Sequence, residues 1–278
     1  MLVERRFTLP LQALEPVDLD GSGAAVMMLL NPTGGILGGD ALDTSVTVGA
    51  DAHVCLTTPA ATRVYRSAGA PAVQRFTALV GEGATLEYLP DHLIPSPGAR
   101  LHQTTDVTLA DGATLLLADA WAVGRVARGE RWRFGELDLG LAVRDTRGLV
   151  LKERCRLVGS PRSDETARLD GAAWLPAPPA WTPAREGLGG TEGFGYVATF
   201  VAAATHRRDW QDIGRELCDT LAPHQTDARV AVSALGRSGV LARLLCPSAP
   251  VLSAAIGAVW TASRRRLLGL RPLCLRKL

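Results

Sequence analysis

The chain has 278 residues, of which 47% are apolar and 21% are charged, as in an average soluble globular protein. This composition excludes a disordered tail and a collagen-like chain, and the length permits one large domain or two small ones. The 30 basic and 28 acidic residues give a formal net charge of +2, so the strong basic excess of a nucleic-acid binder is missing and we expect no nucleic-acid partner.

The start of the chain and its cysteines predict a reduced, cytoplasmic protein. Charged residues occupy positions 4–6, so no apolar stretch of a secretory signal peptide opens the chain. The most apolar late stretch, residues 251–260, is too short to cross a bilayer, and we expect no membrane contact. Scattered cysteines without a CxxC pair indicate buried, reduced thiols instead of a zinc site or a disulfide framework. They are Cys55, Cys155, Cys218, Cys246 and Cys274.

The first half of the chain repeats a unit of strand, tight turn and strand. The three clearest copies are residues 46–59, 77–90 and 107–118. Their equivalent alanines, at intervals of 32 and 29 residues, are Ala52, Ala84 and Ala113. A fourth, weaker copy runs over 139–155.

One two-stranded unit is only marginally stable, so the copies must stack to bury their apolar sides. The repeat therefore predicts a mainly β fold, a β-helix-like or two-layer stack of strand hairpins over about 25–158. Chance similarity between hairpins of an ordinary sandwich is the alternative interpretation.

The second half begins with a connection and ends with helices. Residues 159–195 are rich in proline and glycine, which is typical of a connecting segment. Residues 196–278 predict the order strand, helix, strand, strand, helix. We expect a single domain over 1–278, mainly β, with two C-terminal helices that give this end α+β character.

The boundaries of both helices can be placed from the sequence. Asp209 can cap the first helix and Pro223 stops it. The second helix begins near Ser248 and ends in three arginines, 264–266, which suit the negative end of the helix dipole.

An unusual glycine-rich stretch lies near the start of the repeats, Asn31-Pro-Thr-Gly-Gly-Ile-Leu-Gly-Gly-Asp40. Two glycine pairs indicate backbone at positive φ or in close approach to another group. No Gly-Lys-Ser/Thr follows and Asp40 would repel phosphate, so the stretch is not a P-loop and we expect no bound nucleotide. A sharp bend between strands and a functional contact are both consistent with it.

Motifs for nucleophilic or zinc-peptidase catalysis are missing, and carboxylates on strands are the most suggestive chemical groups. Asp119, Glu87 and Glu153 each lie within an apolar strand, where burial of a carboxylate is costly unless it is paired. Ordinary salt bridges, for example to Arg125 or Arg154, are one interpretation. A row of such carboxylates along an internal channel, passing a divalent cation weakly, is the other.

Four blocks, taken together and in order, identify a family. They are Asn31-Pro-Thr-Gly-Gly-Ile-Leu-Gly-Gly-Asp40, Leu56-Thr-Thr-Pro-Ala-Ala-Thr-Arg-Val-Tyr-Arg-Ser67, Leu86-Glu-Tyr-Leu-Pro90 and Gly124-Arg-Val-Ala-Arg-Gly-Glu130. From about Pro10 to Pro272 the chain resembles the urease accessory protein UreD, called UreH in some lineages. The motif positions that carry the resemblance are Asn31, Gly34, Gly35, Gly38, Gly39, Tyr65, Arg66, Gly124, Arg125, Gly129 and Glu130.

The resemblance implies a non-catalytic scaffold of urease maturation. Members bind the urease apoprotein and join UreF and UreG to deliver nickel, and GTP hydrolysis belongs to UreG. The family fold is a β-helix-like stack with two helices. Members are thought to conduct nickel through an internal tunnel, so we expect transient Ni²⁺ and no tightly bound cofactor. The tunnel positions implied by motif match are Asp40, Thr62, Asp119 and Glu153.

Two other functions stay open at this point. A diverged module of the same fold could serve another metalloenzyme. A carboxylate-based enzyme would need two strand carboxylates with separated pKa values, close in space.

Overall fold

A computed structural model describes residues 2–159 and 191–275. The strands are β1 Gln12–Ala13, β2 Ala25–Leu30, β3 Ala41–Val48, β4 His53–Thr57, β5 Thr62–Val64, β6 Ala72–Val80, β7 Thr85–Leu89, β8 Leu93–Pro95, β9 Arg100–Leu109, β10 Thr114–Ala122, β11 Gly124–Arg125, β12 Glu130–Arg131, β13 Glu136–Asp145, β14 Gly148–Val158, β15 Tyr196–Ala204, β16 Arg229–Ala234 and β17 Gly239–Cys246. The helices are α1 Trp210–Leu221 and α2 Ala249–Ser263, with 3₁₀ turns at Val126–Arg128 and Ala222–Thr226 and a π turn at Arg264–Leu268.

Apart from the two-stranded sheet β11–β12, the strands form two stacked sheets, and the first part of the chain alternates between them. Sheet I has the order β1-β2-β4-β7-β10-β15-β17-β16, with β5 and β8 attached at its side. Sheet II has the order β14-β13-β9-β6-β3. Within each sheet the strands of successive coils pair in parallel, β2-β4-β7-β10 in one and β3-β6-β9-β13 in the other. The mainly β, solenoid-like stack predicted from the repeat is confirmed.

The two strands of one repeat do not pair with each other, so the units are not hairpins. The tight turn leads from a strand of sheet II to a strand of sheet I, and each strand pairs with its equivalent one coil later. Residues directly after the repeat alanines, His53, Thr85 and Thr114, therefore lie side by side in sheet I. The weaker fourth copy differs, because β13 and β14 are antiparallel neighbours within sheet II and do form a hairpin.

The C-terminal part extends sheet I and covers its outer face. Strands β15, β17 and β16 continue the sheet in antiparallel order. Helix α1 begins after Asp209 and buries Trp210, Ile213 and Leu217. Helix α2 follows Ser248, and the predicted order of strand, helix, strand, strand, helix is confirmed.

The interior of the solenoid contains two apolar clusters. One of them holds Leu117 of β10 and Val107 of β9. The other holds Trp121 of β10 and Leu101 of β9. A third cluster joins the outer face of sheet I to both helices.

Two expectations about particular residues need comment. Cys55 and Cys246 are buried, but Cys155, Cys218 and Cys274 are exposed, so the expectation of buried cysteines is wrong for those three. Most of the proline- and glycine-rich connection 159–195 lies outside the described residues. No helix within 2–159 or 191–275 has the length and apolar character needed to span a membrane.

Candidate functional site

A polar layer separates the two apolar clusters inside the solenoid. Inward-facing positions alternate along each strand, so polar residues at similar levels on neighbouring strands form a continuous layer. Asp119 lies between Leu117 and Trp121 on β10, and its neighbours in the layer come from the adjoining strands. We call the polar layer the set Gln74 of β6, Gln103 and Thr105 of β9, Asp119 of β10 and Thr199 of β15.

A narrow cavity of about 30 Å³ opens within this layer. Its walls include Gln74 and Gln103 from sheet II and Tyr88 and Asp119 from sheet I, and Thr62 also borders it. A water molecule needs about 10–15 Å³ of such space, so the cavity admits water-sized particles and excludes an organic substrate. The cavity is therefore suited to ions and water.

Asp119 is the titratable group at the centre of the layer. Its Oδ1 accepts a hydrogen bond of 3.1 Å from Gln103 Nε2. Burial raises the pKa of Asp119 to about 6, with the charge of Glu153 adding to the rise and the hydrogen bond from Gln103 opposing it. Burial and the charge of Asp119 also raise the pKa of Tyr88, which keeps this phenol protonated. The Tyr88 ring stacks on Phe76, with centroids 3.8 Å apart.

The polar layer continues from Asp119 towards the surface. Asp119 and Thr199 are cross-strand partners, and Thr199 is in turn the partner of Arg243 on β17. Glu153 reaches this row from sheet II, where its Oε2 accepts a hydrogen bond of 3.3 Å from Thr199 and its Oε1 pairs with Arg243. The side chain of Arg243 is 64% exposed, so the row ends at solvent.

Three of the four tunnel positions implied by the resemblance lie along this route. Thr62 and Asp119 border the cavity, and Glu153 stands at the surface end. Asp40 has a different contact, because its Oδ2 accepts a hydrogen bond of 2.8 Å from the Leu37 backbone N–H within a turn. Asp40 is not among the residues that border the cavity.

The glycine-rich stretch owes its composition to close contact with the next coil. A Cβ atom on Gly35 would lie 2.6 Å from the Arg63 carbonyl oxygen and 2.6 Å from the Tyr65 ring. A Cβ atom on Gly38 would lie 2.6 Å from Ser67. Gly34 and Gly39 have φ of 81° and 88°, and the Asn31 amide donates to the Gly35 carbonyl at 3.0 Å. Positive φ and close approach, the two backbone features expected from the glycine pairs, are thus both present.

The block at residues 124–130 forms the two-stranded antiparallel sheet β11–β12. Arg125 and Glu130 are paired strand residues and form an ion pair, with Nη2 donating to Oε1 at 2.9 Å. Gly124 has φ of 138°, and a Cβ atom there would overlap the Glu130 carbonyl oxygen. Gly129 ends the 3₁₀ turn in the left-handed region. Arg66, which lies in the block at residues 56–67, forms a β-bridge with Ala99.

Glu87 is at the centre of a second buried polar cluster, which sequence reasoning did not predict. Glu87 and Arg264 are both 0% exposed, and Arg264 Nε lies 2.9 Å from Glu87 Oε1. His53 Nε2 lies 2.7 Å from Oε1, and Trp260 donates its indole N–H to Oε2. Arg264 Nη1 also donates to Asp20 at 2.9 Å. We call these five residues the Glu87 cluster.

Ordinary salt bridges, one of the two interpretations, are confirmed for Glu87 and Glu153, but with other arginines than the two given as examples. Arg125 pairs with Glu130 and Arg154 with Asp138, whereas Glu87 pairs with Arg264 and Glu153 with Arg243. Of the three arginines after α2, Arg264 is fully buried and pairs with Glu87 and Asp20. The sequence did contain a signal for the contact of Trp260 and Arg264 with one partner, because residues four apart lie on the same helix face.

The oxygen atoms of the polar layer are of the kind that bind small cations. Carboxylate, amide and hydroxyl oxygens are ligands for hard and borderline divalent ions, and donors on separate strands bind such an ion weakly. A carboxyl with a pKa near 6 can accept or release a proton as a cation arrives or leaves.

Comparisons with known proteins point to one family. A family model described as the UreD urease accessory protein matches residues 1–277. The chain is 32% identical to the urease accessory protein UreD of Cupriavidus metallidurans over 284 residues, which covers 98% of this chain and 87% of the relative. It is 40% identical to UreD of Delftia acidovorans over 182 residues and 44% identical to UreD of Dechloromonas aromatica over 153 residues. Those two matches span 58% and 53% of the relatives' lengths. From the family model and the match along the whole chain, we conclude that this chain belongs to the UreD family of urease accessory proteins.

Proposed function

We propose that the chain is a non-catalytic scaffold that binds the urease apoprotein and, with UreF and UreG, delivers nickel to the urease active site. The family name supports an accessory role with urease and with other accessory proteins. The observation that carries the nickel part is the polar layer, in which the cavity beside Asp119 is followed by Thr199 and Glu153 on the way to solvent.

In this proposal Ni²⁺ is cargo and exchanges part of its water shell for protein oxygens. The cavity of about 30 Å³ holds roughly two water-sized particles. An ion that enters must therefore shed water and take up oxygens of Asp119, Gln103 and Thr62 in its place. Deprotonation of Asp119 supplies the charge that offsets this dehydration.

A carboxylate-based enzyme is the competing function, because Asp119 and Glu153 interact electrostatically. The cavity volume disfavours it, since small-molecule sites usually enclose about 300–1,000 Å³. A module serving another metalloenzyme would share the fold and the polar layer. It is distinguished by whether the chain binds urease.

The test uses cells that carry the full urease operon and are supplied with nickel. Deletion of this gene is expected to abolish urease activity, and the wild-type gene to restore it. Asp119→Ala combined with Glu153→Ala is expected to restore complex formation with the apoprotein, measured by co-purification, but less than about a tenth of the activity. The matched control is Asp43→Ala with Asp106→Ala, which removes two exposed carboxylates and should restore both readouts.

The outcomes separate the parts of the proposal. Full activity with the Asp119 and Glu153 double variant would refute conduction through the polar layer and keep the scaffold. Full activity without the gene would refute both. Co-purification with a different metalloenzyme in place of urease would favour the diverged module.

A further inference from the structure

Three metal-ligand side chains meet on the outer face of sheet II, away from the interior polar layer. His102 lies on β9 and Asp138 is its direct cross-strand partner on β13. Glu136 is two residues before Asp138, so strand alternation puts it on the same face. One ligand atom from each of the three lies within 4.8 Å of the other two.

The imidazole of His102 has an unexplained nitrogen in this cluster. Its Nε2 is buried from solvent and has no hydrogen-bond partner within the described residues. The carboxylate oxygen Oε1 of Glu136 is 3.9 Å from this nitrogen, too far for a hydrogen bond. The His102 side chain as a whole is 42% exposed, and an unpaired nitrogen beside a carboxylate is where a water or an ion is expected.

The separations fit a cation placed between the donors. Zinc lies about 2.0–2.2 Å from nitrogen and oxygen ligands, so two ligands of one such ion are at most about 4.3 Å apart. The His102–Glu136 separation of 3.9 Å is already within that limit. The widest separation of up to 4.8 Å closes with a side-chain shift of less than about 1 Å. One imidazole and two carboxylates suit borderline divalent transition metals.

Arginines now neutralise both carboxylates and would compete with the ion. Arg156 Nε lies 2.7 Å from Glu136, and Arg154 donates twice to Asp138, at 2.8 and 2.6 Å. Both arginine side chains are more than 60% exposed and can turn into solvent. Arg100 Nη2 lies farther away, 3.8 Å from Glu136 Oε2, so the two hydrogen-bonded arginines are the main competitors that weaken binding.

We propose that His102, Glu136 and Asp138 bind a divalent transition-metal ion such as Ni²⁺ or Zn²⁺ on the outer face of sheet II. The ion enters the space between the three side chains, takes the free Nε2 of His102 and displaces the two arginines from the carboxylates. The site does not use the polar layer and does not depend on the function proposed above.

The first test measures binding of NiCl₂ and of ZnCl₂ to the purified full chain at pH 7.5 by titration calorimetry, with metal content determined after dialysis. The wild-type chain should bind one ion, and His102→Ala should weaken binding by at least about tenfold. His206→Ala is the matched control, because His206 is exposed and lies outside the cluster. Absence of metal binding by the wild-type chain at 1:1 stoichiometry, or equal binding by His102→Ala, overturns the proposal.

Two further variants distinguish this site from metal binding elsewhere in the chain. Arg154→Gln with Arg156→Gln should tighten binding at least about threefold, because it removes the competing charges, and unchanged or weaker binding would contradict the displacement of arginines. Asp119→Asn should leave binding unchanged. Loss of binding in Asp119→Asn with full binding in His102→Ala would assign the metal to the polar layer, which refutes this site and supports conduction through the interior.

Discussion

Replacing Glu87 by glutamine tests whether the Glu87 cluster holds the C-terminal helix to the solenoid. The change keeps the size of the side chain and removes the negative charge that faces Arg264 at 2.9 Å. Arg264, which is itself 0% exposed, would then keep Asp20 as its carboxylate partner, at 2.9 Å. Removing one member of a buried ion pair costs about 3–5 kcal/mol. We expect Glu87→Gln to lower the free energy of unfolding by that amount.

Urea unfolding followed by circular dichroism measures this loss. The thermal midpoint should fall by on the order of 10 °C, since each kcal/mol moves it by about 2–4 °C in a chain of this size class. Asp43→Asn is the control, because it breaks the Arg75–Asp43 pair, in which both side chains are more than half exposed. That change should cost less than about 1 kcal/mol.

The pH dependence of the stability is an independent test of the Glu87 cluster. Burial alone would raise the pKa of Glu87, but hydrogen bonds from His53 and Trp260 and the charge of Arg264 outweigh it and hold that pKa below its usual range. A carboxyl whose pKa is lowered by folding stabilises the protein above its unfolded pKa of about 4.3 and loses this contribution as the pH falls further. The stability difference between wild type and Glu87→Gln should therefore shrink between about pH 5 and pH 3.

Two results would refute this account. One is a Glu87→Gln protein within about 1 kcal/mol of wild type at pH 7. The other is full additivity of Glu87→Gln and Arg264→Met in a double-mutant cycle, because residues in direct contact should couple by about 0.5–3 kcal/mol.

Three other predictions follow from single residues. Asp119→Asn should stabilise the fold at pH 8 by up to about 3 kcal/mol and leave stability at pH 4 nearly unchanged. The reason is that folding raises the pKa of Asp119 to about 6, which penalises its charged form at high pH. Equal effects at both pH values in urea unfolding would contradict this. Gly35→Ala should cost about 1–3 kcal/mol through overlap with the next coil, whereas Gly49→Ala, with open space around it, should change thermal stability by less than about 0.5 kcal/mol. In the native protein, exposed Cys218 should react quickly with a thiol reagent at pH 8. Cys246 is buried, and burial raises its pKa to about 11, so it should react only after unfolding. Mass spectrometry of the labelled chain checks this, and rapid labelling of Cys246 in the native protein would count against its burial.

Much of the fold could be predicted because its signals are local. The turns after Val48 and Val80 recur at a regular interval, and the apolar spacing from Trp210 to Leu221 is that of one helix face. The pairing of strands could not be predicted in the same way. A tight turn between two strands fits a hairpin and fits a corner between two sheets, and only the backbone hydrogen bonds of neighbouring coils decide between them.

The candidate site shows the same division. Asp119 and Glu153 were conspicuous as carboxylates within apolar strands, and Thr62 came from the family resemblance. Gln103 and Thr199 were missed, because a glutamine or threonine on a strand is ordinary unless its level in the stack is known. Their position beside Asp119 follows from the register of β9, β10 and β15 across two sheets.

The amino-acid sequence by itself determined the family, the repeating coil, the two helices and the conspicuous carboxylates. Motifs, turn residues and apolar spacing can be recognised in short stretches of the chain without knowledge of the contacts between them. Tertiary structure alone decided which charges meet. Glu87 and Arg264 are 177 residues apart in the chain and 2.9 Å apart in space. Such a contact depends on how many coils are stacked and on their register, and these are set by the packing of the whole chain.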